Sequence, residues 1–301
     1  MIVVLGSSGY VGSEFARYFE TNGIDFQSVS RTQVDYTHRD TLIRFLREVK
    51  PDFLINTAGY TGKPNVDACE IFKADCLAGN AVLPGVIREA CEATATTWGH
   101  VSSGCIYTGC RSDGGGFRET DPPNFCFRSG YCSFYSGSKA LGEEILSGAI
   151  DCYIWRLRIP FDHHDSPRNY LSKVMRYNML LDATNSISHL GEFANAAYRC
   201  WEKRVEPGIY HVTNPGRVTT RQVVELIKQT RHLDKTFRFF EDEEHFMRTA
   251  AKTPRSNCVL DSSKLLATGI ELTPVTDAIE RSLRAWQPMA MDEVRSPGPP
   301  S

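Results

Sequence analysis

The stretch Met1-Ile2-Val3-Val4-Leu5-Gly6-Ser7-Ser8-Gly9-Tyr10-Val11-Gly12 decides how this chain is read. Met1 to Leu5 is a continuous apolar run rich in β-branched residues, the pattern of a strand buried on both faces of a parallel sheet. The Gly-x-x-Gly-x-x-Gly that follows opens into an amphipathic segment, Glu14 to Glu20. A strand, a glycine turn and a helix in that order suit a dinucleotide. Gly6 permits the tight turn, Gly9 lets a pyrophosphate approach the backbone, and Gly12 allows close helix packing while N–H groups at the helix start face phosphates. Ser8, Tyr10 and Val11 belong to the same expected cofactor loop. The alternative is a merely tight strand-to-helix turn.

Outward from this unit the rhythm repeats. Phe26 to Val29 reads as strand, Thr41 to Val49 as a helix stopped by Pro51, and Phe53 to Asn56 as strand. A helix around Ala74 to Cys91, a strand ending in His100-Val101-Ser102-Ser103, a helix from about Ser133 to Leu146 and a strand at Cys152 to Leu157 follow. Such alternation predicts an α/β fold, a Rossmann-type doubly wound parallel sheet with a smaller C-terminal α/β substrate lobe. Residues 1–158 form the expected NADP-binding domain, to which some later segments return. The lobe is expected mainly over 159–288, where Pro160, Pro167, Pro207, Pro215, Pro254 and Pro274 punctuate short elements. Within it Thr219 and Gln222 form a capping-box signal, and Val275, Ala278, Ile279, Leu283 and Trp286 give a final helix its apolar stripe. Residues 289–301 read as a flexible tail.

The 301 residues carry 34 Lys+Arg against 36 Asp+Glu, a formal net charge of −2, and are 41% hydrophobic. That balance offers no electrostatic footprint for nucleic acid or an anionic membrane, so neither is an expected partner. No apolar run approaches the ~18–20 residues of a membrane span and no secretory leader is visible, which reads as cytoplasmic. The ten cysteines include no Cys-x-x-Cys pair and read as reduced, small apolar residues. His163-His164 with Asp162 and Asp165 is the richest metal-like spot, yet adjacent residues do not converge on one ion, so no metal is expected.

Ser30-Arg31 stands at the end of the second strand, where an acidic residue would favour NAD. A hydroxyl followed by a guanidinium suits a 2′-phosphate, which favours NADPH over NADH; the bland alternative is a solvated loop arginine. Asp35 is a candidate acceptor for the adenine amino group, or simply a turn former. Tyr135-Ser136-Gly137-Ser138-Lys139 puts a phenol and an ammonium at i and i+4 on one helix face. An ammonium so close is expected to lower the phenol's pKa, allowing proton exchange with a carbonyl.

Together with Ser103 at a strand end, these motifs resemble the extended short-chain dehydrogenase/reductase family. The resemblance implies that Ser103, Tyr135 and Lys139 form a catalytic triad and that Asn80 supports the lysine. It narrows over Asn56-Thr57-Ala58-Gly59-Tyr60 through Glu70, over Ser103-Gly104-Cys105-Ile106-Tyr107, over Asn169 to Tyr177, and over Pro254-Arg255-Ser256-Asn257 with Leu260-Asp261. These stretches are similar to the bifunctional 3,5-epimerase/4-reductases of rhamnose synthesis, themselves similar to dTDP-4-dehydrorhamnose reductases and GDP-fucose synthase. The likeness runs from the first strand to about Lys264. Two departures, extra residues Cys126 to Ser133 and an individual loop Arg111 to Gly116, adjoin the expected substrate pocket. By the same resemblance Asn56, Ala58, Gly59, Asn80, Tyr135, Lys139 and Pro160 join the cofactor site, with Lys139 holding the nicotinamide ribose, and the family commonly forms homodimers.

Cys105 lies two residues after Ser103, so at a strand end both side chains point to the same side. A thiol there can become a thiolate and remove a proton from a carbon acidified by a neighbouring ketone. By resemblance Lys173 is the partner that delivers a proton to the opposite face. Arg255, with Arg168, Asn169 and Asn124 as second choices, is expected to hold the nucleotide-sugar substrate. The expected function is an NADPH-dependent 3,5-epimerase/4-reductase converting an NDP-4-keto-6-deoxy-D-glucose, UDP or dTDP, to NDP-L-rhamnose. The alternatives are a 4-reductase without epimerase activity and a non-catalytic NADP-binding subunit.

Overall fold

Strand β1 (Ile2–Leu5) is buried along its whole length and leads through the glycine turn into helix α1 (Tyr10–Asn22). Then come β2 (Phe26–Val29), α2 (Arg39–Val49), β3 (Phe53–Asn56) and α3 (Lys73–Leu77). A π-helical turn at Ala78–Val82 joins α3 to α4 (Leu83–Thr94). β4 (Trp98–Ser103), α5 (Phe134–Ile145) and β5 (Cys152–Leu157) complete this half. The computed structural model describes residues 1–63, 65–233 and 235–289; Pro64 and most of the expected tail, 290–301, lie outside the described residues.

The second half begins with β6 (Pro160–Phe161), α6 (Tyr170–Arg176), β7 (Met179–Leu180), β8 (Thr184–Asn185) and β9 (Ser188–His189). It continues with α7 (Leu190–Glu202), β10 (Gly208–His211), β11 (Val218–Thr219) and α8 (Thr220–Arg231). It ends with β12 (Arg238–Phe239), α9 (Glu243–Thr249), α10 (Ser263–Leu266) and α11 (Val275–Arg284). The Thr219–Gln222 capping box forms at the start of α8.

Six parallel strands make the central sheet in the order β10-β5-β4-β3-β1-β2. The last strand to join, β10, comes from the C-terminal half and pairs with β5. One face of the sheet buries Phe15, Phe19, Phe53, Trp155 and Phe193 under α1 and α7. The other buries Leu5, Leu42, Leu46, Leu54, Ile87 and Trp98 under α2 and α4. The lobe has its own apolar centre, including Phe161, Leu171, Val223, Ile227, Ile279 and Leu283.

The direction in which successive strands are added reverses between β1 and β3, which are parallel neighbours. In an open doubly wound sheet the ligand crevice lies at the strand carboxyl ends beside that reversal. There the turn at Gly6 to Gly12 meets the segment after Asn56. Among the described residues no helix is long and apolar enough to cross a membrane.

Candidate active site

The glycine turn is shaped by close approach. Gly6 has φ +77°, and a Cβ on Gly12 would sit 2.2 Å from the Gly6 carbonyl oxygen and 2.6 Å from Thr57 Oγ1. Neither position tolerates a side chain. Gly9 is the N-cap of α1 and carries no side-chain cap, so the first N–H groups of the helix stay available to an anion. Ser8 and Gly9 are exposed, and Val11 packs against the core. The Tyr10 phenol is pushed up by burial, with the Asp162 carboxylate adding to the effect, so it faces the lobe as a neutral hydroxyl.

At the end of β2 the Ser30 hydroxyl bonds Thr32 and Gln33, while Arg31 is exposed and has no ion pair among the described residues. Asp35 accepts from the Thr37 backbone and hydroxyl and pairs with His38 at 3.4 Å. It forms a turn through Oδ1, and its half-exposed Oδ2 accepts no hydrogen bond among the described residues. Asn56 is buried; its Oδ1 accepts from Ala58 N at 3.0 Å and its Nδ2 meets His100 Nδ1 at 2.9 Å. Burial keeps His100 far below the usual imidazole range, so it is neutral. Asn56 thus holds the Ala58–Gly59 backbone at the crevice from behind.

Asn80, fully buried in the π-helical turn, clamps Tyr60 through both its amide and its carbonyl, at 2.9 and 2.8 Å, and also donates to Ser138 Oγ at 3.1 Å. Its side chain makes no hydrogen bond to Lys139 but meets it at Gly59, which both border.

Ser103 ends β4 and its Oγ accepts from Cys105 N at 3.2 Å, which starts the tight turn Gly104–Ile106. Ser133 caps α5, and Glu70 accepts from the next amide, Phe134 N, at 2.7 Å. This fixes the helix that carries Tyr135 and Lys139. The Lys139 Nζ donates to Val101 O at 3.3 Å and lies beside Gly59.

The expectation that Lys139 lowers Tyr135 is overturned. Burial pushes the phenol up, the Cys105 and Cys69 thiols add to that, and only a contact with Ser103 pulls it down. Burial also lowers Lys139. Removal from water outweighs the lysine's charge here. Tyr135 is consequently a phenol at neutral pH, the form that gives a proton.

Cys105 is 6% exposed, and burial pushes its thiol up against the pull of Ser103, Ser136, Arg158 and Lys139. Lys173 on α6 makes no ion pair among the described residues; burial, Arg168 and Arg255 all lower it. Arg168 donates to Gly62 O at 2.9 Å, and Arg255 forms a two-pronged pair with Asp67 at 2.6 and 2.9 Å. Three cations thus gather around the 62–70 segment.

One expected substrate ligand does not fit that role: Asn169 is fully buried, caps α6 and donates to Asp162 and His164, so it is out of a ligand's reach. Asn124 is exposed and bonds the Thr108 backbone with one N–H and its carbonyl, at 2.9 and 2.8 Å. Pro160 sits in β6, paired with Ser188 next to the crevice. Among the described residues no three His, Cys, Asp or Glu are grouped to hold a metal ion.

Sequence reasoning missed the ion pair beneath the site. Arg156 binds Glu143 with its Nη2 at 2.6 Å and its Nε at 3.0 Å, and its Nη1 reaches Tyr107 and His211 at 2.9 Å. Ser102 donates to the same carboxylate at 2.5 Å. Glu143 follows Lys139 by four residues, so helical spacing placed it on the catalytic face; only the buried strand arginine identifies its partner.

The chain is similar to known proteins along nearly its whole length. The RmlD substrate binding domain matches residues 1–287. The chain is 30% identical over 299 residues to the bifunctional dTDP-4-dehydrorhamnose 3,5-epimerase/dTDP-4-dehydrorhamnose reductase of Arabidopsis thaliana, covering 98% of this chain and 95% of that protein. It is also 30% identical over 282 residues to a trifunctional UDP-glucose 4,6-dehydratase/UDP-4-keto-6-deoxy-D-glucose 3,5-epimerase/UDP-4-keto-L-rhamnose-reductase of the same plant, spanning 92% of this chain but 41% of that protein. The crystal structure of the L780 UDP-rhamnose synthase from Acanthamoeba polyphaga mimivirus has the same fold, with TM-score 0.86 and 22% identity over 94% of this chain and 98% of that one. With a match that runs from the first strand through the last helix, this chain belongs to the RmlD substrate-binding domain family.

Proposed function

We propose that this protein is an NADPH-dependent nucleotide-sugar 4-reductase that also epimerises its substrate, turning an NDP-4-keto-6-deoxy-D-glucose into NDP-L-rhamnose. The observation that supports the reading is that Ser103, Cys105, Tyr135 and Lys139 influence one another at the junction of β4 and α5, with Lys173 kept beside Arg168 and Arg255 on the 62–70 side. The chain is an oxidoreductase of a family that uses NADPH. The residues fit that cofactor: the uncapped start of α1 suits its pyrophosphate and the unpaired Arg31 its 2′-phosphate. When bound, NADPH supplies the hydride that reduces C4.

The protein's part in reduction is to polarise the C4 carbonyl and protonate it. Ser103 and Tyr135 donate hydrogen bonds to the carbonyl oxygen, and Tyr135 gives up its proton as the alcohol forms. In epimerisation the same donors hold an enolate oxygen. Lys173, drawn toward the neutral amine, takes the proton from carbon, and the C–H electron pair enters the enolate. Cys105, held by burial as a thiol, returns a proton from the opposite face, so the base and acid roles expected of the two residues exchange. Arg168 and Arg255 serve the diphosphate, with Asp67 fixing the Arg255 fork in advance.

One incubation tests this. Protein, NADPH and a UDP- or dTDP-linked 4-keto-6-deoxy-D-glucose in deuterium oxide give an L-rhamnose product labelled at C3 and C5 by NMR. A reduced D-sugar without label leaves a reductase only. For the cofactor, Arg31→Ala raises KM for NADPH about tenfold, the worth of one charge-assisted contact, and leaves KM for NADH unchanged. Equal loss with both cofactors would remove Arg31 from the 2′-phosphate site.

A further inference from the structure

The segment that follows Tyr60 grips the lobe at two points. Val66–Glu70 is a 3₁₀ turn capped by Asn65, with Ala68 and Cys69 buried beneath it. Side chains three residues apart eclipse one another in such a turn, so Asp67 and Glu70 leave it on the same edge. Both meet the strap between α9 and α10. Asp67 takes the two ends of the Arg255 fork at 2.6 and 2.9 Å, and Glu70 Oε1 accepts from the Thr253 hydroxyl at 2.7 Å. Thr253 is 2% exposed, so its hydroxyl depends on that carboxylate. Beyond this point the strap is held by other partners: Ser256 donates to Tyr107 O at 2.5 Å, and Asn257 O accepts from Gly109 N at 2.7 Å.

The same Glu70 oxygen has a second donor. It accepts from Phe134 N, the first amide of α5, at 2.7 Å. That N–H is one of the orphan donors of a helix start, and a carboxylate placed there also answers the helix dipole. Tyr135 is the next residue. One oxygen atom thus joins the start of the helix that carries the proton donor to the strap that carries Arg255. Arg255 spends one Nη1–H and one Nη2–H on Asp67 and a further Nη1–H on Thr253 O at 3.2 Å. Its Nε–H and remaining Nη2–H have no partner among the described residues and form the side-on fork that suits a phosphate.

We propose that Glu70 is a positioning residue that ties the placement of Tyr135 to this strap, so that a nucleoside diphosphate held by Arg255 steadies the proton donor as well as the substrate. The inference rests on the diphosphate role assigned to Arg255 above. Binding energy from the part of the substrate that does not react then acts on the step at C4. A 4-keto sugar without its nucleotide meets a less firmly placed Tyr135, and it is reduced more slowly even when it saturates the site.

Two readouts test this, one of them without turnover. Hydrogen exchange of amides 134–136 is followed with and without UDP or dTDP in the wild type, Thr253→Val, Glu70→Ala and Glu70→Gln. The nucleotide is expected to slow that exchange about tenfold in the wild type, the worth of one hydrogen bond to a charged group. Protection should vanish in Thr253→Val and Glu70→Ala and return in Glu70→Gln, whose side-chain oxygen still accepts. Stopped-flow hydride transfer then compares the nucleotide-linked 4-keto sugar with the free one, each at saturation. Thr253→Val should narrow the ratio of the two rates about tenfold. A purely structural loss would lower both rates alike, leave the ratio unchanged and overturn the proposal, as would equal protection in the wild type and Thr253→Val. Should Thr253→Val and Glu70→Ala fail to fold, unprotected amides in the wild type or in Glu70→Gln overturn it equally. Nucleotide protection of α5 in a protein that reduces neither sugar would instead overturn the functional reading and leave the Glu70 coupling standing.

Discussion

Tyr135→Phe lowers the rate of hydride transfer to the 4-keto sugar by about 10²–10⁴, the usual worth of a positioned proton donor, while NADPH affinity stays the same. The reasoning runs through burial. The phenol is pushed above its ordinary range by loss of solvent, and the neighbouring thiols Cys105 and Cys69 push in the same direction. A group raised in this way keeps its proton through neutral and mildly alkaline pH. The reductive rate is therefore expected to stay flat as pH rises through neutrality, because the donor form persists. An enzyme that needed the phenolate would instead speed up with pH. Stopped-flow decay of NADPH absorbance across pH separates these outcomes, and a Phe variant of undiminished rate would remove Tyr135 from the chemistry.

The sheet was legible in the sequence because fully buried parallel strands write themselves as short apolar runs. β3 and β5, buried throughout, begin and end where the apolar runs and flanking breakers place them, whereas β2, in which only Val29 is buried, follows from the alternation of strand and helix. Helices were less exact for identifiable reasons. α1 starts at Tyr10, because Gly9 is extended and caps it, whereas amphipathicity becomes visible only from Glu14. The helical run from Lys73 to Thr94 contains a π turn at Asn80, which a 3.6-residue period cannot detect. The contribution of β10 to the sheet rests on pairing between residues about fifty positions apart, and no local pattern announces that.

The candidate site was legible as residue types and less so as roles. Spacing put Tyr135 and Lys139 on one face, yet it carried no information about solvent, and solvent decides the phenol's proton. Asn169 read as a polar residue near the pocket; the structure buries it, capping α6 and bracing Asp162 and His164. Arg255 read as a free fork, whereas Asp67, 188 residues away, already holds it. Polar side chains announce a capacity for bonds, and only the folded chain reveals which are already made.

Cys105→Ala and Lys173→Met are expected to separate the two half-reactions. Each loses deuterium wash-in at C3 and C5 by about 10²–10⁴, because each removes one of the two proton carriers on which inversion depends. Reduction of an already epimerised NDP-4-keto-L-rhamnose falls far less, since that step uses Ser103 and Tyr135. The two variants also differ in pH behaviour. Lys173 is drawn down by burial and by Arg168 and Arg255, so it becomes a competent base as pH rises through its lowered value. Cys105 is raised by burial and serves as the acid until pH rises through its own. Wash-in by the wild type should accordingly rise and then fall with pH, between a limb set by the amine and a limb set by the thiol. Arg168→Gln removes one of the charges that lower Lys173 and should move the first limb toward alkaline pH while leaving the second in place. A wash-in rate that survives both Cys105→Ala and Lys173→Met would assign proton transfer to other groups and leave this crevice as a reductase site alone.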